Sequence, residues 1–346
     1  MATMDIFNSD AFSQRQMLQA FETFDYLPQI VRELGIFTPE PIRGSIAQIE
    51  TRGNTLSLIQ TSPRGAPNDQ ATVEKRSMIP LDTYRITKED TIQASELLNI
   101  RAFGSESEVM QVMAEVNRRL TGPTGIVREI EYTWEHMMLS AMQGAMVDAD
   151  DSELINFFDT FGVSQADEID FDLDNATPAN GALRKKCEQV YRQTRRASGG
   201  SFLSSSTIIG LCGDNFWDDL NAHEEVTERR KAMVQGGFAD GLSGIFGDDN
   251  IVRFGKVAFV HYWGSDDGAV GVGTDKVKFV PLGVPGLFRH IMAPGEAWSH
   301  LGQPGQAVYV EVLPDRERER YVRVIASSYP LMLCTRPAML QRGKRT

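Results

Sequence analysis

The chain has no paired-cysteine motif, no clustered histidines and no apolar run approaching the roughly 20 residues of a membrane span. Its three cysteines, Cys187, Cys212 and Cys334, are far apart and odd in number. Such spacing suggests neither a disulfide framework nor a zinc site, and a reducing cytoplasm is the natural compartment for folding. Met1 to Phe7 lack the basic and apolar regions of a secretory signal. A soluble, non-exported protein without membrane contact is expected. Lys and Arg are missing altogether from Glu129 to Leu183, where Asp148, Asp150, Asp151, Glu153, Asp159, Asp167, Glu168, Asp170, Asp172 and Asp174 accumulate. Over the 346 residues, 35 Lys and Arg stand against 47 Asp and Glu, a formal net charge of −12. Gripping nucleic acid needs a basic face to neutralise phosphates, so that is not the expected main task.

Catalytic and metal-binding patterns also fall short. His223-Glu224-Glu225 has Thr227 where a metalloprotease helix needs its second histidine. The run Gly268 to Gly273 is followed by Thr274 and Asp275, so the lysine of a phosphate loop is missing, as is the third glycine of a dinucleotide fingerprint. Asp170, Asp172 and Asp174 have the spacing of a calcium-loop start. However, Asn175 stands where the sharp turn needs glycine, and Gly181 where a bidentate acid belongs. There is no Gly-x-Ser-x-Gly elbow, and His136, His223, His261, His290 and His300 are scattered. The expectation is therefore no catalytic residues, no cofactor-binding residues, no metal ligands and no cofactor. Trp134 with Met137 and Met138 reads as helix packing. The acidic run reads equally well as a solvated face.

What is present is extended and helical patterning in an unusual order. Residues 1–42 are dense in aromatics (Phe7, Phe12, Phe21, Phe24, Tyr26, Phe37) and interrupted by Pro28, Gly35, Pro39 and Pro41. A terminal tail of this kind frays unless something holds it. From Ile46 to Arg85 the spacing predicts a long β-hairpin, turning at Ser62 to Asn68. Each arm is about a dozen residues or more, roughly 40 Å at strand rise. A two-stranded ribbon is marginal in water, and this one has few large apolar residues, so a neighbouring molecule is expected to steady it. Ser105 and Glu108 form a capping-box signal before a helix carrying Val109, Val112, Val116 and Leu120 on one face. Gly122 to Gly125 should kink or break that helix, which resumes with Ile126, Ile130, Trp134, Met137, Ala141 and Ala145.

Further along, Leu154 to Phe158 reads as a strand or a short helical turn, Asn180 to Arg196 as a helix, and Thr207 to Cys212 as a buried strand leading into a helix at Asp214. Arg253 to Trp263 reads as strands. The chain closes on a hairpin with arms at Val308–Val312 and Tyr321–Ile325. Arg316 to Arg320 alternates charge at its tip, either as a solubilising feature or for ion pairing between subunits. The fold class is α+β with no internal repeat.

Several segments in this order resemble the tailed-bacteriophage major capsid protein E family, lambda-type, with the Hong Kong 97-type fold. They are Met4 to Phe7 with Asp10 to Ser13; Gly35-Ile36-Phe37; Arg64 to Pro67; Ile92 to Glu96; Arg101 to Gly104; Leu211 to Asp214 with Phe216; and Ser328 to Leu331. The resemblance spans nearly the whole chain. It implies an N-terminal arm over 1–42 and an extended loop over 43–90 lying across a neighbouring subunit. It further implies a peripheral domain over 91–149 and 306–346 with a long spine helix, and an axial domain over 150–305. The function implied is that of a major capsid protein assembling into pentamers and hexamers of an icosahedral shell. That shell encloses double-stranded DNA without specific binding. The implied partners are other copies of the chain, scaffolding and portal proteins and a decoration protein, with assembly in the host cytoplasm. Rival readings are the shell of a non-viral compartment with the same fold, or an α+β enzyme with a dispersed site.

Overall fold

The computed structural model describes residues 30–52, 76–98, 108–122, 125–175, 177–228, 251–264 and 271–346. The expected hairpin tip, the capping box at Ser105 and most of the aromatic N-terminal segment lie outside these residues.

A short helix α1 (Ile30–Glu33) leads into β1 (Thr38–Pro41). The hairpin follows as β2 (Ile46–Arg52) and β3 (Arg76–Asp82), antiparallel with Ile46 opposite Asp82 and Arg52 opposite Arg76. Its base has more to fold against than the sequence suggested. Ala47, Ile49 and Leu81 are buried in the main core, because strand alternation sends every second residue to one face. The return arm also stops at Asp82, short of the expected Arg85. At Thr83 the amide and hydroxyl both donate to the Ser45 carbonyl, which closes the ribbon. Tyr84 turns away so that its hydroxyl donates to the Leu154 carbonyl at 3.1 Å. The chain then starts a separate strand, β4 (Ile86–Gln93), and a short helix α2 (Ala94–Leu98).

Helices α3 (Glu108–Thr121) and α4 (Ile126–Gln143) are separate, as the glycines predicted. Gly122 leaves no room for a side chain: a Cβ there would sit 2.3 Å from the Arg118 carbonyl oxygen. Helix α4 buries Ile126, Ile130, Trp134, Met137, Met138 and Ala141 and ends at Gly144, whose φ of 108° excludes most other residues. A small hairpin, β5 (Ala145–Val147) with β6 (Glu153–Asn156), follows. Its second strand runs directly into α5 (Phe157–Thr160), capped by the Asn156 side chain, so the segment 154–158 is strand and helix in succession.

The largest sheet has six strands in the order β7-β16-β11-β8-β10-β9. They are β7 (Ile169–Asp170), β8 (Thr207–Cys212), β9 (Ile251–Phe254), β10 (Val257–His261), β11 (Lys276–Leu282) and β16 (Gln341–Lys344). Central strand β8 feeds two cores in alternation. Ile209 and Leu211 join the one built on α4, while Ile208 and Cys212 join a second around Phe171, Phe216, Phe259 and Phe279. Gly210 lies beneath Phe279, with space too tight for a Cβ. Helices α6 (Ala182–Ala197) and α7 (Asp214–Ala222) contribute Leu183, Cys187, Val190, Phe216, Trp217 and Leu220 to the second core.

Two three-stranded sheets complete the fold. One orders β1, β12 (Phe288–Met292) and β15 (Pro330–Cys334), with β1 and β12 parallel. The other orders β13 (Tyr309–Pro314), β14 (Tyr321–Ser328) and β4, with Ile86 opposite Ser328. The expected boundary at 305/306 is crossed in both directions. β16 sits between β7 and β11 of segment 150–305, while β12 of that segment pairs with β1 and β15. Continuous burial on β15 and alternating burial on β14 reflect these different surroundings.

Candidate functional site

Among the described residues no group of three or more His, Cys, Asp or Glu side chains is placed to hold a metal ion. Asp170 accepts from the Asp172 amide and lies 3.4 Å from Lys344, contacts that hold its carboxyl below the usual range. Glu168 is held down in the same way by Lys276 at 2.7 Å. Two acidic side chains of the segment, Glu168 and Asp170, are thus paired with basic residues from β11 and β16, far away in sequence. The turn between β5 and β6 remains solvated, with Asp150 and Asp151 exposed.

The five histidines do not converge. His136 Nε2 lies 3.0 Å from the Asp148 carbonyl, His223 Nδ1 accepts from the Glu225 amide, and His261 meets Asp214 at 2.8 Å while stacking on Trp217. His290 is buried edge-on against Trp134, and that burial lowers its pKa to about 4, so it is neutral. His300 packs on Tyr309 with ring centres 4.4 Å apart. Trp134, Met137 and Met138 are core residues. All three cysteines are buried and reduced, and Cys334 is pushed up to about 12 by desolvation.

The exposed surface is more informative. Trp298 is 90 % exposed and Leu301 is 65 % exposed, next to each other on one short turn. That turn is firmly mounted. Beneath it His300 and Tyr309 are buried, the Tyr309 hydroxyl accepts from the Gln306 amide at 2.8 Å, and the Gly305 amide donates to the Ile42 carbonyl at 2.9 Å. Gly295 and Gly305 are both too close to neighbouring atoms to carry a Cβ. Met78 and Ile46 on the hairpin are exposed as well, at 66 % and 50 %. A rigidly displayed tryptophan is the kind of residue that dominates protein interfaces.

Charge is also laid out on the surface. Helix α6 buries one face and presents Arg184, Lys185, Arg192, Arg195 and Arg196 on the other, with none of them in an ion pair among the described residues. Lys185, Lys186, Arg192 and Arg196 flank a shallow groove of about 440 Å³. The sequence's overall acidity concealed this basic strip; the helical spacing of its cations was the signal that could have revealed it. At the hairpin tip, Asp315 accepts from the Glu317 and Arg318 amides, and residues 316–320 form no ion pair among the described residues.

No curated protein sequence matches the chain. Its fold is similar to the capsid of bacteriophage PhiM1, with 13 % identity, a TM-score of 0.52, and coverage of 93 % of this chain and 88 % of that one. It is also similar to the capsid of cyanophage P-SCSP1u, with 11 % identity, a TM-score of 0.50, and coverage of 94 % and 90 %. A prophage protein from Escherichia coli CFT073 gives 10 % identity and a TM-score of 0.54, over 96 % and 99 % of the two chains. These likenesses identify the Hong Kong 97-like capsid fold. The sequence pattern of the family described as Phage major capsid protein E matches residues 13–345. With that match over nearly its whole length, the chain belongs to the phage major capsid protein E family.

Proposed function

We propose that this capsid subunit assembles into pentamers and hexamers of an icosahedral shell that encloses double-stranded DNA, without catalysing a reaction. The family match over residues 13–345 is the observation that carries this reading. Supporting it, the described residues carry exposed apolar side chains on fixed mounts. In this reading residues 1–42 are an arm and the hairpin within 43–90 straps a neighbouring subunit. Helices α3 and α4 form the peripheral spine, and the six-stranded sheet forms the body near the five- and six-fold axes. Repeated heterologous contacts close rings and propagate the shell, and many modest contacts act together. Scaffolding, portal and decoration proteins are further partners, and assembly takes place in the host cytoplasm.

The net charge of −12 suits a wall that does not adhere to packed DNA. The α6 strip is where any residual DNA contact would lie. Electron microscopy of the expressed protein, alone and with a scaffolding protein from the same source, tests the assembly. Shells or capsomer rings are expected, and persistent monomers under both conditions would refute it. Tight, salt-sensitive binding of duplex DNA by purified capsomers would refute the non-adhering wall.

A further inference from the structure

The basic strip on α6 and the acidic turn between β5 and β6 are exposed surfaces of opposite sign, and among the described residues no ion pair joins them within a subunit. On α6, Lys185, Arg192 and Arg196 follow one another at helical spacing with Arg195 beside them, all four exposed. Eleven residue steps from Lys185 to Arg196 make a strip of roughly 16 Å. The groove of about 440 Å³ along it is lined by amides and cations, with Gln189 and Gln193 between the basic residues. Arg192 donates through Nε to the Glu188 carbonyl at 3.1 Å, so its terminal nitrogens are left for a partner. The turn carries Asp148, Asp150, Asp151 and Glu153 and no basic residue, unlike the β13–β14 tip, where Arg and Glu alternate. It is also stiff. The Asp148 amide donates to the Ser152 carbonyl at 2.9 Å, the Ser152 amide to Asp150 at 3.0 Å, and His136 backs the Asp148 carbonyl. Asp151 leaves 84 % of its side chain exposed.

We propose that the 148–153 turn of one copy docks on the α6 strip of a second copy, its carboxylates pairing with Lys185, Arg192 and Arg196. Charge and size select this occupant. The strip is cationic and the turn anionic, and guanidinium forks take carboxylates through two parallel hydrogen bonds. The two strands of the turn lie about 5 Å apart, so its carboxylates fit within the length of the strip. A duplex is the other polyanion a capsid wall meets, and it fits less well. Its charge continues at one per roughly 1.7 Å, so it overruns the strip onto the rest of a subunit whose net charge is −12. A compact turn ends where the cations end. Covering the strip also keeps it from packed DNA, as a non-adhering wall requires. Exposed ion pairs contribute little singly, but complementary patches steer encounter and fix register. The contact therefore orients neighbouring subunits, and apolar contacts supply most of the affinity.

The inference rests on the capsid reading, and charge reversal with rescue separates the two. In the full chain, Arg192→Glu with Arg196→Glu reverses the strip, and Asp150→Lys with Glu153→Lys reverses the turn. All four side chains are exposed, so subunit melting should change little. Either pair alone should lower particle yield about tenfold or more, because like charges then meet across the contact. All four changes together exchange the signs and should bring the yield back to within about threefold of the unaltered chain. Full yield from either pair alone, or no recovery in the fourfold variant, overturns the contact and leaves the capsid reading intact. Where a reversed variant does not fold, carbodiimide treatment of unaltered particles decides. A covalent dimer joining Lys185 to a carboxylate of residues 148–153 is expected, and its absence overturns the contact. Full yield from the strip variant with loss of duplex binding by its capsomers would likewise overturn it, and would assign the strip to DNA. Failure of the unaltered chain to form any oligomer, by light scattering, sinks both.

Discussion

Burial sets the charge behaviour of Glu135, which projects from α4 into the junction between α1 and the body of the protein. Its Oε1 accepts from the Val31 amide at 2.8 Å, and the Tyr262 hydroxyl and the Arg32 charge face the same carboxylate. Desolvation outweighs these partners and raises its pKa. The folded state therefore binds a proton more readily than the unfolded state. That stabilisation is complete below the ordinary carboxylate range and is lost as pH rises through the raised value. Glu135→Gln keeps an acceptor for Val31 and removes the titration. It should melt above the unaltered protein at pH 8, with the advantage gone near pH 4. Parallel melting curves across that range would contradict this. Arg119 behaves differently, because it joins three elements through Asp90 of β4, Glu96 of α2 and Glu115 of α3 at 2.6–2.9 Å. Glu115 is held below the usual carboxylate range, first by Arg118 and then by Arg119. Arg119→Leu should cost about 1–3 kcal/mol, and Arg119→Lys should recover only part of it because a single ammonium cannot reach all three carboxylates. Chemical denaturation of the three proteins measures the difference. Neither residue stood out in the sequence, since their partners lie up to 104 positions away and charge alone does not reveal burial.

At the scale of elements, local patterns were legible wherever they depend on neighbouring residues. The 3.6-residue spacing marked α3, α4 and α6, and the glycines at 122 and 125 marked the break between helices. The β-branched run at 207–212 marked a buried strand. Pairing was not legible, because β4 finds β14 across more than 200 residues and nothing in either strand names the other. The hairpin illustrates both sides. Its alternation predicted two arms, but the stop at Asp82 depends on Thr83 reaching Ser45 and on Tyr84 reaching Leu154. Anchoring of Ala47, Ile49 and Leu81 in the core makes the base part of the subunit. A consequence follows for the distal part, which lies outside the described residues. Deleting Thr61 to Asp69 should leave the melting temperature of the subunit within about 2 °C, because base packing is untouched, while particle yield falls severalfold. Calorimetry and sedimentation measure the two effects, and equal loss of both would assign the tip to the subunit's own core.

At the scale of the whole molecule, sequence order and spatial order part company. The long hairpin with few large apolar residues pointed to assembly, and the segment order pointed to a capsid fold, yet the expected axial segment 150–305 is not closed on itself. Strand β7 has β16 as its hydrogen-bonded neighbour, with Ile169 opposite Gly343. β11 loses one edge without β16, and β12 loses both neighbours without β1 and β15. Gly343 fits only because Phe171 and Val277 press against its Cα, leaving no room for a Cβ. The last strand therefore completes the aromatic core as well as the sheet. Exposed edges of this length and hydrophobicity invite aggregation, and a core opened along β16 loses part of its apolar burial. A fragment of residues 150–305 should consequently be insoluble or lack a cooperative melt. Adding residues 306–346 back should restore the six-stranded sheet and recover most of the cooperative transition, while full recovery needs β1. Near-ultraviolet circular dichroism and thermal melting of the two fragments distinguish the cases. A sharp, reversible melt from 150–305 alone would mean that this segment folds independently and that β16 is only an added strand.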